Sequence, residues 1–454
     1  MKTNNFRIIF SLLDLNKVHL NGKQKYFQRL VFLLVFLSTI EISSEKIELP
    51  QESDSKGKIE ENAVKNDGVI LQQNQQIRNN PNTTNEKLNL KLMKAINFGF
   101  FIDTYYLHNN NSPKSTERKY TTQAVRNGEF NLNLVHLDAK VTEEKYRGRL
   151  AIQAGTSVNT NYSNELSNDI SSNQASVKNI QEAFVGFKLT SNIWLDCGIF
   201  FGNIGRESWI SQANWNYTRA FALDYVPYYS SGARLTYEIT DKLSIQLQIL
   251  NGWQVITDNN RDKSFGSQIK YSFSPKLTLT VNQYLGNDAP SNESRQLRLY
   301  NNTIFEWDIL DFLSFAGQFD IGAQRAKNSL IYESWNKEIL ANSMIGDYRD
   351  APGNAYRQWY QGTFWIKINL NPDFRLSFRV ERMYDPLQVV AITNTKNGFI
   401  SNAYTATLDI LSFDPGLIRL EYVYRRSADS IFDYRNGETS KKEDVFIFAF
   451  SLKI

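Results

Sequence analysis

From Ile96 to the last residue, apolar and polar side chains alternate with a period of two. In 374–381, Phe374, Leu376, Phe378 and Val380 alternate with Arg375, Ser377, Arg379 and Glu381. In 243–249, Leu243, Ile245, Leu247 and Ile249 alternate with Ser244, Gln246 and Gln248. In 417–425, Ile418, Leu420, Tyr422 and Tyr424 oppose Arg419, Glu421 and Arg425. The chain closes on Phe446, Phe448, Phe450, Leu452 and Ile454 at every second position. Successive side chains of a strand point to opposite faces, so this pattern predicts strands with one apolar and one wet face.

The runs, each of about ten residues, are punctuated in a regular way. Short turns rich in Asp, Asn, Pro and Ser fall at 142–145, 190–192, 240–242, 274–276, 310–312, 371–373 and 412–416, composed of residues that favour tight turns. Longer connections lie between them, near 109–128, 159–179, 202–227, 254–263, 287–296, 324–356, 385–399 and 427–442. Seven short and eight long connections make about 16 strands, with both ends on the short-turn side. That predicts an all-β fold, a transmembrane antiparallel up-and-down β-barrel with short periplasmic turns and long external loops. A barrel of this size leaves an aqueous lumen.

The terminal aromatic stripe is then a lipid-facing strand that closes on the first. A charge at the lipid-facing midplane costs about 2–4 kcal/mol, so the charged set faces the lumen. This set includes Arg149, Arg234, Arg298, Lys367, Arg375, Arg379, Glu381, Arg419 and Glu421. Trp194, Trp253, Trp307 and Tyr384, near strand ends, fit interfacial girdles.

Composition agrees. Aromatics make up 13% of the chain although mean hydropathy is −0.43, as expected when only one face of each strand is apolar. No stretch after residue 45 approaches the length of a spanning helix. Lys23, Lys25 and Arg29 precede an apolar run from Leu30 to Ile40, and Ser43 and Ser44 follow. Residues 1–44 therefore read as a signal-peptide region with its start near residue 23. Residues 45–95, polar and without periodicity, read as a flexible linker, and 96–454 as the barrel. Acidic and basic residues balance from Ile96 onward, so the formal +4 resides ahead of the barrel and no nucleic-acid footprint appears. A single cysteine, Cys197, excludes an internal disulfide framework.

The connection 202–227 concentrates Arg206, Glu207, Trp209, Trp215, Tyr217, Arg219, Asp224 and Tyr225. A loop with this many large aromatics is costly to expose, which predicts that it folds into the barrel and narrows the pore. Arg206 and Arg219 are expected to face Glu207 and Asp224 across the passage, where rings of charge set ion preference. The competing reading is an external cap whose ion pairs only hold the loop. The basic excess on the wet faces predicts a mild anion preference. No catalytic residue, metal site or cofactor is indicated. The three histidines include His108, expected to be solvated at a strand end, and His136, expected at the interface, and no hydrolase, phosphate-loop or metalloprotease motif occurs. The Asp-rich loops 258–263 and 429–438 lack the spacing of convergent calcium ligands.

Several blocks resemble the OmpL-like putative β-barrel porin family. They are FNLNLVHLDAKV (130–141), YRGRLAIQAGTSV (146–158), the segment 180–221 beginning IQEAFVGFKLTSNIW, and YYSSGARLTYEITDKLSIQLQILNGWQ (228–254). The resemblance spans 96–454 and implies an outer-membrane pore for passive diffusion of small hydrophilic solutes and ions, without assigning a substrate or binding residues. The partners expected are the outer-membrane lipid bilayer, the barrel-assembly machinery and the solutes. Homo-oligomers are compatible with the resemblance, although no flat apolar patch for subunit contact stands out. The alternative functional class is a surface-exposed adhesin or receptor whose barrel displays its loops, and a soluble all-β protein is the third.

Overall fold

The computed structural model describes residues 95–163, 165, 177–325 and 356–454. The signal-peptide region, the linker up to residue 94 and most of the 324–356 connection lie outside them. Sixteen antiparallel strands close into one barrel. In chain order these are β1 (Ile96–Asn109), β2 (Phe130–Thr142), β3 (Tyr146–Ala154), β4 (Ile180–Thr190), β5 (Ile193–Phe201), β6 (Tyr229–Thr240), β7 (Leu243–Leu250) and β8 (Ser264–Ser274). They continue with β9 (Leu277–Asn287), β10 (Leu297–Leu310), β11 (Leu313–Arg325), β12 (Tyr356–Asn369), β13 (Phe374–Asp385), β14 (Phe399–Ile410) and β15 (Gly416–Ser427). A hairpin of β16 (Phe432–Asp433) and β17 (Thr439–Ser440) decorates the last connection before β18 (Lys442–Lys453) closes the ring. Short helices α1 (Thr156–Asn161) and α2 (Phe221–Asp224) sit in long loops. No helix among the described residues is long and apolar enough to cross a membrane.

The strands begin and end where turn chemistry dictates. Asn371 Oδ1 accepts the backbone N–H groups of Asp373 and Phe374, both at 2.9 Å. Thr240 Oγ1 accepts from Lys242 at 3.2 Å, and Ser274 Oγ accepts from Lys276 at 3.2 Å. Each side chain satisfies a backbone donor that the ladder leaves free and fixes the reversal. Closure is made by β18, which pairs with β15 on one side and β1 on the other, with Tyr106 opposite Phe448 and Ile102 opposite Leu452.

The two faces separate as alternation requires. Phe446 is 53% exposed on the outer wall, while Val445 and Ile447 beside it are buried. On β13, Phe378 and Val380 are exposed outward, and Arg379 and Glu381 are buried inward. Cys197 is exposed on the outer wall, its Cα partners being Val185 and Ala233. Trp307 and Tyr384 lie on the outer wall as expected of girdle residues, with Tyr384 stacked on Tyr360. Trp194 and Trp253 do not. Trp194 shares the inward face with Asp196 and lies under the Arg147 guanidinium at 4.5 Å. Trp253 packs edge-on against Tyr284 and Tyr300 inside the barrel. In both cases a partner within the lumen takes the ring that an interface would otherwise hold. His136 is likewise internal and buried, 3.7 Å from Asp138, whereas His108 is exposed at the outer end of β1.

Candidate functional site

The lumen is organised by loop 3, residues 202–228, which joins β5 to β6 and turns into the barrel. Gly205 permits the inward turn. Its φ is +96°, a conformation that favours glycine, and a Cβ there would fall 2.3 Å from Leu223 Cδ1, which would have to shift. From that point the loop lies against the inner wall. Ile204, Ala220, Ala222, Leu223 and Val226 pack with Tyr284, Tyr300, Trp359 and Trp365 in a dry cluster. The aromatic content that makes exposure unfavourable is therefore buried inside the barrel.

Buried charges on β13 to β15 fix the loop. Arg379 donates to Glu381 at 3.0 Å, to Glu207 at 3.3 Å, to Thr405 Oγ1 at 3.2 Å, and to both the carbonyl and the hydroxyl of Thr218. Arg419 donates to both oxygens of Asp409 and to the carbonyls of Ser211, Asn214 and Asn216. All five guanidinium donors of each arginine are thus used. Glu421 accepts from the backbone of Tyr217 at 2.5 Å and Thr218 at 2.8 Å, and Glu381 accepts from Phe221 at 2.5 Å. Two strands further round, past β18, Asp103 of β1 accepts from Ser211 at 2.8 Å and Tyr217 at 2.9 Å. Removing one member of such a buried pair costs about 3–5 kcal/mol, because its partner is left charged and unpaired.

The four loop residues singled out in the sequence lie on this inserted segment, but they do not face one another across a gap. Arg206 pairs with Glu306 at 3.0 Å and stacks on Trp215 at 3.9 Å. Glu207 takes the Trp365 indole N–H at 3.0 Å, the Ala220 N–H at 2.8 Å and Arg379. Arg219 is sandwiched between Trp209 at 4.5 Å and Tyr228 at 4.3 Å. Asp224 accepts from the backbone N–H of Thr122 at 3.2 Å and from its hydroxyl. Burial pushes the Asp224 carboxyl up to about 6, against the lowering effect of Thr122 and Arg219.

The nine wall residues divide. Arg379, Glu381, Arg419 and Glu421 face inward but are covered by loop 3, so they act as staples and not as wetted wall. Arg298 lies against Trp253 at 4.7 Å and pairs with Asp288 at 3.0 Å. Arg375 pairs with Asp409, and Lys367 sits 4.8 Å over Trp215. Arg149 bridges Asp138 at 3.1 Å and Glu182 at 2.5 Å. Arg234 meets Asp196 at 2.8 Å, and so does Arg147 at 2.7 Å, a residue the alternation alone did not single out. Its signal is the parity it shares with Arg149 on β3. These two groups face the lumen opposite in kind to the staples. The side chains of Arg147 and Arg234 are 26% and 17% exposed, while Asp196 between them is fully covered. Cations form the wet surface there, and the carboxylates lie behind them.

Loop 1, residues 110–129, also enters the mouth, which its sequence gave no reason to expect. Arg118 pairs with Glu443 at 3.1 Å, and Arg425 donates to Glu443 and to the carbonyls of Tyr120 and Lys119. Through Thr122 it touches loop 3 at Asp224. Among the described residues no group of three His, Cys, Asp or Glu side chains converges to hold a metal.

Residues 95–454 match the family model described as putative beta-barrel porin-2, OmpL-like. No curated protein matches the sequence. Among solved structures, the barrel is similar to the anion-selective porin from Comamonas acidovorans, at 5% identity over 79% of this chain and 99% of that one, with a TM-score of 0.49. It is also similar to outer-membrane expressed OmpT of Vibrio cholerae (8% identity, 79% and 97% covered, TM-score 0.47). A third is Salmonella typhi OmpF in complex with daunomycin (12% identity, 79% and 97% covered, TM-score 0.46). With a closed sixteen-stranded barrel and a family match over its full span, the chain belongs to the OmpL-like β-barrel porin family and is an outer-membrane porin channel.

Proposed function

We propose that the chain is a diffusion porin that passes small hydrophilic solutes and ions and favours anions. The observation that carries this reading is the pairing of two partly exposed arginines, Arg147 and Arg234, with one covered carboxylate, Asp196. Two guanidinium groups on one covered carboxylate present a cationic outer layer at Asp196, and Arg149, 24% exposed, extends that layer in front of Asp138 and Glu182, which balance its charge. In a narrow, low-dielectric passage such fixed charges raise the local concentration of the opposite ion. Loop 3 narrows the lumen from the β13 to β15 side, so solutes pass along the remaining wall, β3 to β6, where these arginines lie. Export through the signal-peptide region and insertion by the barrel-assembly machinery bring the barrel to the outer membrane.

The test is single-channel recording of the refolded 45–454 chain in a planar bilayer under a salt gradient. Discrete steps with an anion-selective reversal potential are expected. Arg149→Gln with Arg234→Gln should move the reversal potential toward the cation side. A cation-selective wild type, or a folded barrel that stays silent, would sink the proposal, and silence would favour the display alternative.

A further inference from the structure

The outer wall carries almost no charge. On β2 to β10 the outward positions hold no Lys, Arg, Asp or Glu. Apart from Arg325 at the end of β11, the outward charges cluster at the long-loop end of four consecutive strands. Arg382 of β13 is the Cα partner of Asn402 on β14, Asn402 is the partner of Arg426 on β15, and Arg426 is the partner of Lys442 on β18. Arg382, Arg426 and Lys442 are all exposed. They share the outward face with Val380, Tyr424 and Phe446, the first and last of which are about half exposed. Three cations thus lie in one row just above an apolar, aromatic wall.

The row is unbalanced. Arg382 donates to Asn402 Oδ1 at 3.3 Å, and among the described residues none of the three cations forms an ion pair. Arg426 and Lys442 are direct cross-strand neighbours, an arrangement of like charges that destabilises a sheet. The nearest carboxylate on this face, Asp444, lies one outward position further along β18 and is held by the Asn110 amide. A charge on a lipid face is tolerable only near the interface, where its cost falls to about 0–1 kcal/mol. The row therefore sits at headgroup height, beside lipid, with its charges unpaired.

We propose that Arg382, Arg426 and Lys442, with Asn402 between them, bind the phosphates of a multiply phosphorylated glycolipid headgroup in the outer leaflet. Neighbouring strands lie about 4.8 Å apart. Arg426 and Lys442 are one step apart and clamp one phosphate from two sides. Arg382 is two steps, roughly 10 Å, from Arg426 and takes a second. Guanidinium groups suit this role because they present paired donors to phosphate oxygens. The aromatic wall below, including the Tyr404–Tyr424 pair with rings 6.4 Å apart, receives the acyl chains. The row lies outside the lumen, so this site is independent of the permeation reading.

The test uses the refolded chain in detergent, titrated separately with bis-phosphorylated lipid A, its dephosphorylated form, inorganic phosphate and phosphatidylglycerol, with binding read by native mass spectrometry. Bis-phosphorylated lipid A should bind best. Arg426→Gln with Lys442→Gln should weaken it about tenfold or more, the effect of losing charged hydrogen bonds. Arg382→Gln on another strand should weaken it independently, and Lys442→Arg should retain it. Heat-modifiable gel mobility confirms folding, and single-channel conductance should be unchanged in all variants. Equal affinity of the double variant, or binding of phosphatidylglycerol or inorganic phosphate as tight as that of lipid A, would overturn the proposal. So would a change in oligomeric state without a change in lipid binding, which would assign the row to contact between copies.

Discussion

An arginine on the inner wall does one of two jobs, and what covers it decides which. Arg379 and Arg419 have every donor engaged by loop 3, by carboxylates or by Thr405 of the wall, so they hold structure. Arg147 and Arg234 share one carboxylate and keep their outer edges wet. Asp224 is a loop residue at which this architecture becomes sensitive to pH. Its carboxyl sits at about 6, against an ordinary 3.8, because burial penalises the charged form. The docked loop therefore holds a proton more tightly than an undocked one. Docking of loop 3 against Thr122 is firmest below the ordinary carboxyl value, weakens as pH rises through the window from 3.8 to 6, and is weakest above it. Gating frequency in a planar bilayer should rise across that window, and Asp224→Asn should flatten the profile. An unchanged profile in the variant would remove Asp224 from the account.

The strands and short turns are legible in the sequence because their causes are local. The alternation of Phe378 and Val380 with Arg379 and Glu381 spans four residues, and the Asn371 turn spans three. The inserted loop is legible for a compositional reason, since Trp209, Trp215 and Tyr217 need cover. What the inserted loop's charges bind is not legible. Glu207 meets Arg379 and Trp365, and Arg206 meets Glu306, partners far away in the chain that only barrel curvature brings near. Pairing by sequence proximity matches Arg206 with Glu207, which the fold sends to opposite partners. Loop 1 is missed for a similar reason, because Arg118 finds Glu443 only once β18 has closed beside β1. The inward positions of Trp194 and Trp253 show a further limit, since a large ring at a strand end reads the same whichever face it takes. At this scale the loop itself is testable. Deleting 207–219 should raise single-channel conductance in a barrel that still folds, and an unchanged conductance would place the narrowest point elsewhere.

The barrel is a closed sheet without a free edge, dry and aromatic outside, polar and partly filled within. Its only cysteine lies on that outer wall, exposed among lipid-facing neighbours. The native chain thus carries its own reporter of insertion. In a bilayer, Cys197 should resist a charged, water-borne maleimide yet react with an apolar one, whereas the unfolded chain should react with both. Labelling by the charged reagent in folded, membrane-embedded protein would contradict the outward, lipid-covered position. Because the thiol needs no substitution to introduce it, the time course of its protection would clock the passage of β5 from water into the hydrocarbon layer as the barrel assembles.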